Sequence, residues 1–256
     1  MSAPKIRSYE ERRQAMAKTS TVALFGRPGS GKTSLTMTLN PEKTVFVNVE
    51  NGDKAIQDFP CRELTIETHE QMCDFAVWVG GPNKSVPADA PFGYHHALRV
   101  FQEWGDPRQM LGDFDTMVLD TITEITSMAR RYWEANPACL AKSGKVDGFA
   151  VWRNVAQDSE EIFRAFQRCP LNIVLIGHMK ATTDAFGQTH YEPDIPGKAT
   201  GTRLDRIFDT VITISQISMP DGSLPRVIVC REDNPFGFPA KDRSGCLDMY
   251  EAPHLG

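Results

Sequence analysis

The sequence predicts an α/β fold: a mostly parallel central sheet with helices on both faces and a β-hairpin toward the C-terminus. Three observations carry this. Residues 26–33 read G-R-P-G-S-G-K-T, the pattern G-x-x-x-x-G-K-T, between a short apolar run and a helix-competent segment. Apolar runs at 44–49, 114–119 and 171–177 each end at a polar residue and alternate with stretches of helical periodicity. Such runs suit strands buried on both faces. Finally, residues 209–214 and 226–230 flank a Pro-Asp-Gly turn at 220–222, which reads as a hairpin.

Taken in order, Ser8-Tyr9-Glu10-Glu11 has the form of a capping box and opens a short charged helix to about residue 18. Residues 1–19 therefore read as an N-terminal helical extension, either a solvated cover or a surface that packs on a neighbouring subunit. Residues 20–256 read as one domain with an insertion near 80–112. Residues 21–25 form the first strand, 34–39 a helix stopped by Asn40-Pro41, and 44–49 the second strand, followed by a turn at 51–53. Helices are expected over 68–79, with Thr68 as cap, and over 94–104. Between them lies a long surface loop rich in Pro and Gly, and Tyr94, His95 and His96 read as solvated. The third strand, 114–120, leads into a helix over 121–136. A flexible linker at 141–148 precedes an amphipathic helix over 149–168 whose Val151, Val155, Ile162, Phe163 and Phe166 read as core. The fourth strand, 171–178, is followed by about twenty residues, 180–200, with little regular pattern. A last short strand is expected at 246–250.

Composition narrows the function classes. The chain has 256 residues, 41% of them apolar, enough for one large core. A net charge of −5 excludes a surface built for passive, charge-driven binding of nucleic acid, so any such contact needs a local basic patch. No apolar run reaches the roughly 18 residues of a membrane span. Residues 1–20 are polar and charged, unlike a secretory signal. The six cysteines show no C-x-x-C pairing, and several lie in apolar contexts, which predicts reduced thiols and a cytoplasmic location.

The chemistry-bearing residues lie where these strands end. Glycines at 26, 29 and 31 let the loop aim its backbone N–H groups at phosphates, and the following helix adds its positive end. Gly26, Arg27, Pro28, Gly29, Ser30, Gly31, Lys32, Thr33 and Ser34 are the expected phosphate-binding residues. Lys32 would reach the β- and γ-phosphates, and the Thr33 hydroxyl would hold Mg²⁺. Asp120 ends the third strand in the Walker-B manner and is the second expected Mg²⁺ ligand. Thr121, not Glu, follows it. Glu50, just past the second strand, is thus preferred for orienting or deprotonating the attacking water, with Glu124 as its rival. His178, at the end of the fourth strand, would sense the γ-phosphate. The 180–200 region and its borders supply Lys180, Phe186, Tyr191, Lys198, Arg203 and Arg206, and aromatics among cations suit single-stranded DNA. Lys241 and Arg243, two apart on an extended segment, point the same way. They read either as a finger reaching a neighbour's nucleotide or as a solvated basic turn.

Together these residues resemble the RecA-like ATPase core. The segment V-F-V-N-V-E-N-G-D at 45–53 looks like the RecA segment that places its catalytic Glu, and K-D-R-S-G at 241–245 is similar to the K-x-R-N-G finger of DnaB-type helicases. The whole most resembles the short phage-encoded RecA-like proteins of the Sak-type single-strand annealing group, over roughly residues 20–250. The resemblance implies ATP hydrolysis with Mg²⁺ at the interfaces of a homo-oligomer, stimulation by single-stranded DNA, and annealing or strand exchange in the host cytoplasm. It also suggests a single-strand binding protein as partner. The same core serves DNA motors and helicase-loading ATPases. A nucleotide-gated adaptor and a small-molecule kinase are the alternatives of another class.

Overall fold

The computed structural model describes residues 8, 10–11, 19–50, 53–183, 187, 189–195, 206–218 and 222–256. Among these, ten strands form one sheet: β1 (Thr21–Gly26), β2 (Thr44–Asn48), β3 (Arg62–Thr65), β4 (Thr116–Asp120), β5 (Asn172–Thr183), β6 (Thr189–Pro193), β7 (Thr210–Gln216), β8 (Arg226–Val229), β9 (Lys241–Asp242) and β10 (Tyr250–Glu251). The order is β10-β8-β7-β1-β5-β4-β2-β3, with β6 paired to β5 and β9 to β7. From β7 through β3 every neighbour is parallel. The pairings of β6, β8, β9 and β10 are antiparallel. The α/β expectation of a mostly parallel sheet with a C-terminal hairpin is met, and the β7–β8 pair is that hairpin.

Alternation along the central strands sends side chains to two cores. Ala23, Phe25, Val47, Leu119 and Leu175 face one side, where the long helices lie: α2 (His69–Gly80), α5 (Ile122–Ala135) and α6 (Gly148–Arg168). The predicted stripe of α6 is buried as expected, and Phe163 and Phe166 each contribute roughly 2 kcal/mol by leaving water. Leu24, Phe46, Val118, Val174 and Ile212 face the other side. Leu35 of the short helix α1 (Lys32–Leu35), Ile56 and Phe59 cover that face, with Leu247 and Leu255 packed against it. The helical cover is therefore unequal on the two faces.

The insertion holds α3 (Tyr94–Trp104) and α4 (Pro107–Leu111). His96 is not the solvated side chain expected. Its ring accepts from the Phe92 backbone N–H at 2.9 Å and meets Asp74 of α2 at 2.7 Å, tying the insertion to the core. Thr68 caps α2 through the reciprocal capping box with Gln71. At the N-terminus, the Ser8 and Glu11 backbone amides and side chains exchange hydrogen bonds of 2.7 and 3.1 Å, as a capping box requires.

Three expectations are corrected. The described part of 180–200 is not patternless: β5 runs on to Thr183 and pairs with β6. Residues 141–148 are a tight turn, not a linker, because Ala141 accepts from Gly144 and donates to Lys145, and Leu140 bridges Val146. The last strand is Tyr250–Glu251 rather than 246–250, since Ser244 and Leu247 donate their backbone N–H groups to Asp242 and hold that stretch in a turn. No described helix is long and apolar enough to cross a membrane.

One polar group holds three helices together. Asp158 of α6 accepts from the Trp133 indole of α5 at 2.7 Å and meets the buried His69 ring of α2 at 2.8 Å, with Cys73 3.6 Å from that ring. Asp158→Ala orphans both partners and should destabilise the fold by about 3 kcal/mol in urea unfolding, while Asp158→Asn, which still accepts from Trp133, should cost less than half of that.

Candidate functional site

The register brings the carboxyl ends of four strands together. Asn48 lies level with Asp120, Asp120 with Ile176, and Gly26 with His178. β5 sits between β1 and β4, so the glycine loop and Asp120 leave the sheet two strands apart with His178 between them. Gly177 makes that placement possible. A Cβ there would lie 2.5 Å from the Phe25 ring and 2.7 Å from Ile122, so no larger residue lets β5 pass beneath α5.

Gly29 and Gly31 carry φ of 74° and 91°, the left-handed region that glycine adopts without strain. The loop they shape wraps Lys32, which is only 5% exposed. Its Nζ donates to the carbonyls of Gly26 at 3.1 Å and Arg27 at 3.0 Å. Burial lowers the Lys32 pKa, against the opposing pull of Asp120 and Glu50. The Ser30 hydroxyl is buried with no hydrogen-bond partner, no side chain caps α1, and Gly29 faces open space. A cavity of about 300 Å³ opens there, bounded by residues 27–30 and the ends of β7 and β8. An orphaned hydroxyl, an enclosed ammonium and an open loop fit a polyphosphate.

Beside the loop, the Thr33 hydroxyl donates to Asp120 at 2.8 Å. Asp120 is 3% exposed. Burial raises its pKa. The Thr33 hydrogen bond opposes that, Glu50 adds to it, and Lys32 and His178 oppose it. A hydroxyl and a buried carboxylate in contact form a donor set of the hard oxygen type that suits Mg²⁺. Glu50 stands at the mouth, its side chain 43% exposed. It accepts from the Thr121 hydroxyl at 2.9 Å and lies 3.5 Å from His178 Nε2. Thr123 fixes the His178 backbone at 3.2 Å, while His178 Nδ1 is buried without a partner. Glu124, the rival to Glu50, is instead paired with Arg131 along its helix.

Lys32, Thr33, Glu50, Asp120 and His178 are thus brought together, and the remaining candidates lie elsewhere. Lys241 pairs with Val211, level with Ala23 of β1. That is three residues, about 10 Å, back along the strands from Gly26. Its Nζ donates to Phe208 at 3.0 Å, and Arg243 contacts Asp209 at 3.3 Å and the Arg206 carbonyl at 2.8 Å. Arg206 itself is exposed. Lys180 stands between Glu192 at 3.4 Å and Asp194 at 3.8 Å. The Tyr191 ring packs on Phe238, centroids 4.8 Å apart, and carries the Arg27 guanidinium 4.9 Å away, with Arg27 also bonded to the Tyr191 hydroxyl. Phe186, Lys198 and Arg203 lie outside the described residues.

Sequence reasoning missed Thr121 and Thr123, which orient Glu50 and His178, and Arg226, the first residue of β8, which lies against Gly31. No motif marks Arg226; only the β7–β8 register places it. A larger cavity, about 930 Å³, lies between Trp78, Phe101 and Arg168 at the other end of the strands. It contains none of the predicted site residues, so its size says nothing about the chemistry.

No curated protein matches the chain by sequence. Among solved structures, one described as a prototypical ATPase from the type III secretion system of pathogenic bacteria is similar at 12% identity and a TM-score of 0.40, covering 77% of this chain and 51% of that one. The chain thus spans about half the length of that protein. Residues 18–244 match the family described as the AAA domain, a span that holds β1 through β9 and every predicted site residue. With the P-loop between β1 and α1, this chain belongs to the AAA domain family and has a P-loop ATPase core.

Proposed function

We propose that the chain hydrolyses ATP with Glu50 orienting the attacking water, and that it acts on single-stranded DNA in recombination or strand annealing of the phage Sak type. The observation that carries the hydrolytic part is the placement of Glu50: an exposed carboxylate held by Thr121 and His178, beside the buried Thr33–Asp120 pair. Lys32 holds the phosphates, while Thr33 and Asp120 hold Mg²⁺. When bound, the metal supplies charge neutralisation at the phosphates. Thr121 fixes one Glu50 oxygen, leaving the other to accept from water. His178 Nε2 lies 3.5 Å from the same Glu50 oxygen that Thr121 fixes. Lys241 and Arg243 are too far back along the strands to serve their own P-loop. In this reading they serve a neighbour's, which makes hydrolysis depend on a homo-oligomer assembled head to tail.

The DNA reading draws support from a surface that sequence reasoning did not single out. Phe149 is 92% exposed, Val146 50%, Leu140 44% and Trp152 38%. Arg130 lies 5.4 Å from the Trp152 ring, and Lys142, Lys145 and Arg153 are exposed around them. Apolar rings among cations offer stacking and phosphate pairing together, on a chain whose net charge is −5.

Three outcomes test this. Glu50→Gln should retain ATP affinity and lose on the order of a hundredfold or more in turnover; turnover within threefold of the parent would remove Glu50 from that role. Phe149→Ala with Trp152→Ala should abolish any stimulation of hydrolysis by single-stranded DNA and weaken DNA binding by roughly 1–3 kcal/mol per ring, with basal turnover intact. If the parent's turnover ignores DNA at low salt as well as high, the DNA assignment fails and the ATPase remains.

A separate prediction concerns pH. A raised carboxyl pKa means that the folded chain holds its proton more tightly than the unfolded one. The associated stability is present at acid pH and is lost as pH rises from the ordinary aspartate range through the raised value. At neutral pH the ionised, buried Asp120 therefore costs stability. Asp120→Asn keeps an acceptor for Thr33 and should stabilise the nucleotide-free protein at pH 7. The difference should shrink in thermal melts as pH falls toward the aspartate range, and the variant should not hydrolyse ATP.

A further inference from the structure

The Glu50–Asp120–His178 cluster lies on one side of β1, toward β5, β4 and β2. The other side, toward β7 and β8, carries a different group. Arg226 opposes Gln216, the last residue of β7, so the hairpin lifts its side chain to the level of the phosphate loop. A Cβ built on Gly31 would lie 3.0 Å from a terminal nitrogen of Arg226 and 3.3 Å from its guanidinium carbon. The guanidinium thus rests against the P-loop, in the cavity that residues 27–30 share with the end of β7. Of the two arginines in that cavity, Arg27 is committed to Tyr191. The Arg226 guanidinium makes no hydrogen bond or ion pair with any described residue.

We propose that Arg226 binds the α- and β-phosphates of the bound nucleotide, acting in cis from β8. The inference rests on the P-loop reading above and assigns the part of the ligand that Arg226 holds. The terminal phosphate must face Thr33, Asp120 and Glu50, where a water can be oriented. The inner phosphates and the nucleoside then extend toward β7 and β8, where Arg226 waits. A guanidinium offers paired N–H donors in a plane that matches two phosphate oxygens. Gly31 is required twice over at this point, by its φ of 91° and by the closeness of Arg226.

The test is a titration of the full chain with Mg-ADP, Mg-ATP and inorganic pyrophosphate, comparing the parent with Arg226→Gln and Arg226→Lys. Arg226→Gln should weaken all three by a similar factor, roughly tenfold to a hundredfold, from the loss of charge-assisted hydrogen bonds. Arg226→Lys, which keeps the charge without the fork, should fall between. Weakened ADP with unchanged pyrophosphate would place Arg226 on the base and overturn the proposal. So would a drop in saturated turnover with ADP affinity unchanged, the behaviour of a group aimed at the terminal phosphate. If the parent binds none of the three, the P-loop reading falls and takes this proposal with it. Equal melting temperatures of the nucleotide-free proteins separate lost contacts from lost fold, and Arg226→Lys keeps the test open should the glutamine variant unfold.

Discussion

The site is organised by two charges withdrawn from water at one end of the sheet. Asp120 and Lys32 are 3% and 5% exposed, and isolated charges at that depth would be prohibitive. Each is met by groups that the fold can place only one way. The ammonium takes the carbonyls of Gly26 and Arg27, which requires the loop to curl over it through two left-handed glycines. The carboxylate takes the Thr33 hydroxyl, which requires α1 to begin where the loop ends and β4 to stop level with the loop's base. The opposite pKa movements, Lys32 down and Asp120 up, have the same leading cause, which is burial. This balance costs stability in the nucleotide-free chain, and it readies an ammonium and an oxygen pair for a polyanion and a hard cation. Strand order, register and the closeness of Gly177 to Phe25 and Ile122 all follow from holding these groups in place.

What the sequence reveals is what is contiguous. β1, β2, β4 and β5 are unbroken apolar runs because they are buried on both faces, and each ends at a polar residue because the sheet ends in water. Glu50, Asp120 and His178 are legible for that reason, and Gly26 through Lys32 through the G-x-x-x-x-G-K-T motif besides. β3 was not, since Arg62, Glu63 and Thr65 are exposed on an edge strand that needs no apolar run. β6 escaped for a similar reason: Thr189, His190 and Glu192 are exposed, and the strand exists because β5 extends beyond the sheet to pair with it. The acids flanking Lys180 and the Tyr191 contact with Arg27 arise from that pairing, so neither has a local signal. Arg226 needs the register of β7 against β8. Thr121, the N-cap of α5, and Thr123, in its first turn, also hold Glu50 and the His178 backbone. Spacing along the chain names the groups that sit at strand ends. It does not name those brought in from a neighbouring hairpin.

The same register gives the molecule a polarity. The phosphate loop, Glu50, Asp120 and His178 crowd the carboxyl ends of the parallel strands, whereas Lys241 and Arg243 attach near the amino end of β7, level with Ala23. Lys241 holds the Phe208 carbonyl and Arg243 holds Asp209 and the Arg206 carbonyl, so both are kept in place by backbone at that end. A two-fold dimer would set like against like and could not bring these cations to a P-loop without using one face for both roles. In the proposed head-to-tail reading, a heterologous contact, carboxyl end to amino end, would serve every interface and would close as a ring or continue as a filament according to the rotation per subunit. In the proposed reading, the Arg243–Asp209 pair at 3.3 Å is then the contact to be exchanged for phosphate when a neighbour docks. Both partners are nearly half exposed, so that ion pair holds Arg243 by little, and the exchange is inexpensive.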